Sequence, residues 1–168
     1  AKLNWINQHY LKTDAPEDVA RHLLWHLEKA GYAIAGGPAP ADVVVALRDR
    51  VHTLKEMAEK ARCWYCPLTD DDIDAAAAAK QLTAAVRESL GVFTGKLEAL
   101  PEWTLAGVHA AFAGTLAELD LPMGKLGPAI RVAITGNTAS PSIDHTVFLC
   151  GRDQALMRLH AAIGRLPA

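Results

Sequence analysis

The sequence predicts an all-α fold made of two packed helical subdomains, and three observations carry that prediction. Apolar residues recur at the helical period of 3.6 along almost the whole chain, and nothing alternates at a period of two over a useful length. Glycine and proline fall where helices start and stop, as the asymmetry of helix ends demands. With 168 residues, 51% of them hydrophobic, the chain is long enough to bury a core as one domain or as two small ones. Pro67 and the run TDDDID after it mark the boundary, which gives subdomains at 1–66 and 67–168 with a hinge at 66–69.

The first helix opens at KLNWINQHYL, residues 2–11. Leu3, Ile6 and Tyr10 fall at helical spacing, and Trp5 and Tyr10 are expected to be core anchors because aromatic side chains serve mostly as buried area. His9 beside Tyr10 is no catalytic pair, since adjacent helical residues point in different directions. Asp14 is expected to cap the second helix, with Pro16 in its first turn and Glu17 completing a capping box. Its stripe of Val19, Leu23, Leu24, Leu27 and Ala30 stops at Gly31. His22 and His26 stand four apart, a zinc-compatible spacing, but no third ligand motif accompanies them and they fit a solvated face.

AGGPAP, residues 35–40, is a loop by composition. A helix is expected over 42–62, with Leu47, Val51, Leu54, Ala58 and Ala61 on one face and Arg50 at the margin of that stripe, where a cation snorkels, pairs or meets a ligand. Cys63-Trp64-Tyr65-Cys66 is a CxxC without a second pair for zinc or a thioredoxin-like setting. Trp64 and Tyr65 are expected in the core.

Asp70 to Asp72 suit a helix N-terminus, and alanines 75–79 a helix running to Leu90 and ending at Gly91. A further helix is expected over 101–119, with Trp103 as a staple, Thr104 as cap and Leu105, Val108, Phe112 and Leu116 buried. His109 fits an exposed helix face. The last helix, 153–166, buries Leu156, Leu159, Ile163 and Leu166.

Residues 125–149, KLGPAIRVAITGNTASPSIDHTVFL, are two short helices meeting at a polar turn. Gly127 and Pro128 are expected in the first turn of the first, where a missing N–H costs nothing. Gly136 and Asn137 suit its left-handed end, and Ser140-Pro141 reads as N-cap and first residue of the second. Arg131, the single cation from Gly127 to Ile134, projects toward the turn. A guanidinium fork beside a helix N-terminus suits a base edge or a phosphate.

Composition bounds the function. No apolar run approaches the ~20 residues that span a bilayer, residues 1–5 lack the apolar core of a signal peptide, and three cysteines show no disulfide-framework pattern. A cytoplasmic protein is expected. The net charge of −2 is awkward for a nucleic-acid binder. Its distribution is less so: residues 125–168 carry five basic residues (Lys125, Arg131, Arg152, Arg158, Arg165) against Asp144 and Asp153, an excess of +3. No Gly-rich phosphate loop, paired-carboxylate signature or nucleophile elbow occurs.

Three ordered blocks resemble one family. Residues 125–149, followed by LCGR and LMRLHAAIGRL, closely resemble the C-terminal anticodon-binding region of bacterial glutamyl-tRNA synthetases. LRDRVHTLKEMAEKA, residues 47–61, is similar to a helix of their first anticodon-binding subdomain, and KLNWINQHYL to their Lys-Leu-x-Trp-x-Asn-x-x-Tyr segment.

The resemblance implies a helical anticodon-binding cage that binds tRNA of glutamate specificity, as a monomer and without a membrane. It also implies that the chain lacks the catalytic domain, since neither the His-x-Gly-His motif nor the lysine-rich loop of class I synthetases is present. The chain is then expected to be inactive alone, with no cofactor, metal or catalytic residue of its own, while ATP and Mg²⁺ serve the parent ligase. Carried over residue by residue, Arg50 matches an arginine implicated in reading the third anticodon base. Arg131, Ser140, Pro141 and Ile143 match base-contacting positions. Lys125 and Arg152 are phosphate candidates on charge alone. The competing expectation is a helical protein-interaction module that binds no RNA; a metal or redox enzyme built on Cys63 and Cys66 is the weakest.

Overall fold

A computed structural model describes residues 2–167, the side chains from residue 7 onward. Among these residues all regular structure is helical, and the chain divides into two units, Ala1–Pro67 and Leu68–Ala168.

The first unit holds α1 (Lys2–Thr13), α2 (Pro16–Lys29), α3 (Pro40–Leu47) and α4 (Leu54–Tyr65). Its core is the α2 stripe of Leu23 and Leu27 against Val43, Val44 and Leu47 of α3 and Met57, Ala58 and Ala61 of α4, all buried. Tyr65 and Trp64 are in that core, as expected. The Tyr65 hydroxyl donates to the Pro38 carbonyl at 2.9 Å, and its ring lies so close to Gly37 that a Cβ there would sit 2.7 Å from Cε1. The 35–40 loop is pinned by this one tyrosine.

Three expectations for this unit are corrected. Tyr10 is 58% exposed, and Leu11 is the buried residue among the described side chains of α1; the side chains of Leu3, Trp5 and Ile6 lie outside those described. Asp14 does not cap α2: Ala15 holds that place without a side-chain bond, and Pro16 starts the helix. The helix expected over 42–62 is two helices, because Thr53 accepts from the Glu56 amide at 3.1 Å while Glu56 Oε2 accepts from the His52 amide at 2.9 Å. The Thr53 cap, with Glu56 reaching back to the residue before it, starts a new helix at Leu54. Arg50 therefore sits in the α3–α4 turn, exposed, and not at the margin of a stripe.

The second unit follows with α5 (Ala75–Gln81), α6 (Arg87–Glu98), α7 (Leu105–Glu118), α8 (Met123–Thr135), α9 (Ile143–Cys150) and α10 (Arg152–Arg165). Asp70 to Asp72 form a 3-10 turn capped by Thr69, and Asp74 caps α5 by accepting from the Ala77 amide. The helix expected from Ala75 to Leu90 breaks at Leu82, and Gly91 lies inside α6 instead of ending a helix. Thr104 caps α7 as expected.

Leu126, Ile130 and Ile134 of α8 are fully buried, as are Phe93 and Leu97 of α6, Val108 of α7, Val147 of α9 and Leu159 of α10, and α8 packs on α6, α9 and α10. Phe93 and Phe112 meet edge to face at 6.0 Å. Since α8 begins at Met123 behind Pro122, Pro128 is in its interior and not in its first turn.

Candidate nucleic-acid interface

The turn between α8 and α9 is built from both sides. Gly136 ends α8 at φ 83°, the left-handed conformation that a side chain disfavours. Its carbonyl accepts from the Asp74 amide at 2.8 Å. A Cβ at Gly136 would overlap the Asp72 carbonyl oxygen and lie 3.2 Å from Ile73 Cα, so only glycine admits this approach of two backbones. Beyond it, the Asn137 side chain accepts from the Ala139 amide at 2.8 Å, which tightens the polar tip.

Helix α9 starts two residues later than expected, at Ile143 behind Ser142. Ser140 and Pro141 are drawn into other contacts. Arg131 Nη2 donates to the Pro141 carbonyl at 2.8 Å, and the Thr146 hydroxyl donates to Ser140 Oγ at 2.9 Å. Arg131 and Ser140 are half-buried, whereas Pro141 and Ile143 are buried. Ile143 faces Gly127, where a Cβ would stand 3.6 Å from Ile143 Cδ1, so it forms the floor of the turn.

On the α9 side, Asp144 is flanked by two imidazoles. His109 Nδ1 stands 3.3 Å from Asp144 Oδ2 and His145 Nδ1 3.6 Å from Oδ1, and Ser142 bonds the same carboxylate. Burial alone would push this carboxyl up, but the hydrogen bonds from Ser142 and the His145 amide, with His145 and His109 alongside, hold it below the ordinary carboxylate value. A carboxylate at the first turn of α9 also complements the helix dipole.

The structure brings Arg131, Ser140, Pro141 and Ile143 together. Lys125 is exposed in the first turns of α8. Arg152 donates to the Glu98 carbonyl at 2.7 Å and so caps α6. Arg158 is 6% exposed and donates to the Ile134 carbonyl at 2.7 Å, and Arg165 pairs with Asp70 at 2.9 Å. The excess of positive charge after residue 125 is thus largely engaged within the unit, Arg131 included, while Lys125 is exposed at the other end of α8 from the turn.

Thr146 and Arg158 escaped the sequence reading. A threonine inside an apolar helix and an arginine at helical spacing carry no local mark of these contacts.

Elsewhere, His22 is exposed and His26 half-buried, and with Tyr10, Asp14 and Lys55 they line a cavity of about 370 Å³ in the first unit. No group of three or more His, Cys, Asp or Glu side chains able to hold a metal ion occurs among the described residues. No helix among them is long and apolar enough to cross a membrane. Cys150 is buried, and burial pushes its thiol up to about 11, the Arg158 charge opposing.

An arginine bonded into a hydroxyl-bearing turn between two packed helices gives this all-helical domain a polar, half-buried site. The sequence matches the anticodon binding domain family over residues 8–163, and the chain belongs to that family. It is 52% identical over 166 residues to a glutamate–tRNA ligase of Stenotrophomonas maltophilia (strain R551-3), covering 99% of this chain and 35% of the relative. It is 51% identical over 163 residues to that of Xylella fastidiosa (strain M23), covering 97% and 34%.

The chain thus spans about a third of the length of these relatives. Among solved structures, a glutamate–tRNA ligase from Elizabethkingia meningosepticum in complex with its amino acid superposes with a TM-score of 0.83 at 16% identity. That match covers 98% of this chain and 32% of the other, a likeness of fold. A protein-interaction module without RNA binding is not favoured by these relationships.

Proposed function

We propose that this chain reads the anticodon of glutamate tRNA as the C-terminal part of a cytoplasmic, monomeric glutamate–tRNA ligase. The catalytic domain, with ATP, Mg²⁺ and glutamate, belongs to the remainder of such a ligase, and this part does not charge tRNA by itself. The two units, divided near Pro67, act as the first and second anticodon-binding subdomains. The observation that carries the reading is the Arg131 guanidinium bonded to the Pro141 carbonyl, next to Ser140, at the α8–α9 turn.

Anticodon loops expose unstacked bases whose edges are read by hydrogen bonds. Arg131 and Ser140 supply those bonds, Pro141 and Ile143 set the height of the turn, and Arg50 contacts the third anticodon base from the α3–α4 turn. Lys125 faces phosphate. Arg152 contributes a further phosphate contact through the guanidinium nitrogens that do not cap α6.

The test is the affinity of the chain for glutamate tRNA and for a version altered in the anticodon, across a salt series. A preference for the native anticodon is expected. Equal and steeply salt-dependent binding of both would reduce the surface to a phosphate contact.

A further inference from the structure

Thr146 is a polar side chain with no exposure at all, in the first turn of α9 directly beneath the turn. Its hydroxyl has a single hydrogen and two acceptors in reach, Ser140 Oγ at 2.9 Å and the Pro141 carbonyl at 3.4 Å. That carbonyl already accepts from Arg131, and the shorter choice is Ser140. A Ser140 oxygen that accepts from within on one of its two lone pairs still has its own hydrogen to place. Among the described residues the acceptor in reach of that hydrogen is the Pro141 carbonyl at 3.4 Å, far beyond the ~2.7–2.8 Å of a good hydroxyl bond, which leaves the hydrogen free to turn outward. The guanidinium of Arg131 has donors and no acceptor.

We propose that Thr146 is a positioning residue that biases Ser140 toward donation, so that the hydroxyl turns its hydrogen to the RNA and selects a base edge presenting an acceptor, such as a keto oxygen, over one presenting an exocyclic amine. This inference rests on the anticodon reading above and deepens it. The buried hydroxyl touches no RNA. It acts by occupying one of the two Ser140 lone pairs, and a hydroxyl polarised from behind is a better donor in front.

The experiment measures binding of the chain to an anticodon stem-loop of glutamate specificity and to a panel in which each anticodon base in turn exchanges a keto group for an amino group. The wild type should prefer the keto form at one position. Ser140→Ala and Thr146→Val should each shrink that preference about three- to tenfold, the double variant should do no more than either single one, and Thr146→Ser should retain it. Preference lost in Ser140→Ala but intact in Thr146→Val overturns the role of Thr146 and leaves base reading standing. No preference at any position in the wild type defeats base reading itself.

Thermal melting separates a binding loss from misfolding. Should Thr146→Val not fold, the wild type with a pyrimidine lacking its 4-substituent decides the matter. Affinity lost with the keto oxygen supports donation to it from the turn, and affinity unchanged overturns it.

Discussion

An arginine expected to meet RNA stands at the α3–α4 turn and another beside the α8–α9 turn, yet the two turns are held differently. The first combines a local cap with an anchor at its start. His52, Thr53 and Glu56 bond one another, Arg48 reaches the Leu11 and Asp14 carbonyls of the chain before α2, and Arg50 stands exposed between them. The second is held from afar: Asp74 bonds Gly136 across the unit, Arg131 reaches Pro141, and Thr146 reaches back to Ser140. In the first, the caps at Thr53 and Glu56 and the Arg48 bonds use separate atoms, so a change at one leaves the others. A turn of the second kind fails as a whole, because its contacts share atoms.

The comparison breaks most visibly at Gly136. Alanine there meets both a left-handed φ and the Asp72 backbone, so Gly136→Ala should lose more than the roughly 1–2 kcal/mol of left-handed strain alone. Gly31, at φ 76° in open space, should lose no more than that strain. Denaturant melts of the two variants measure the difference directly.

Next in size is Arg131→Lys, which keeps the charge and loses the fork. It should weaken cognate binding by on the order of 1–3 kcal/mol and relax selection at one base, whereas Lys125→Ala should lower affinity for every anticodon alike and flatten the salt dependence. Equal losses for cognate and altered anticodons in Arg131→Lys would sink its role in reading.

On the local side, Thr53→Ala removes one cap and should cost roughly 1 kcal/mol of stability, seen as a small drop in denaturation midpoint with Arg50 still exposed. The smallest effect concerns pH. Asp144 is held below its ordinary value of 3.8, so it contributes stability that is present above that pH and lost as the solution is acidified through and below it. Asp144→Asn should flatten the acid limb of a melting-temperature profile and leave its neutral limb unchanged in slope.

What was legible in the sequence follows the same division. The helical class, Thr104 as a cap, Trp64 and Tyr65 in the core and the left-handed Gly136 all rest on local chemistry, and they match the structure. The α3–α4 break was equally local, written in Thr53-Leu54-Lys55-Glu56, but the apolar period runs through it and masked the cap. Placing Ser140 as a cap failed for another reason. Ser140 and Ser142 both carry the right side chain, and the choice between them is made by Arg131 and Thr146, which bind the first pair of residues away from the helix. Tyr10 is the plain case of tertiary context deciding: an aromatic at helical spacing points outward because Leu11 faces the core.

The bond from the Asp74 amide to the Gly136 carbonyl also makes the turn a clock. Its hydrogen exchanges with deuterated solvent only when the two backbones part. The rate at that single amide therefore times the opening of the turn with no RNA present, and a bound anticodon loop that grips the closed form should slow it in proportion to its occupancy.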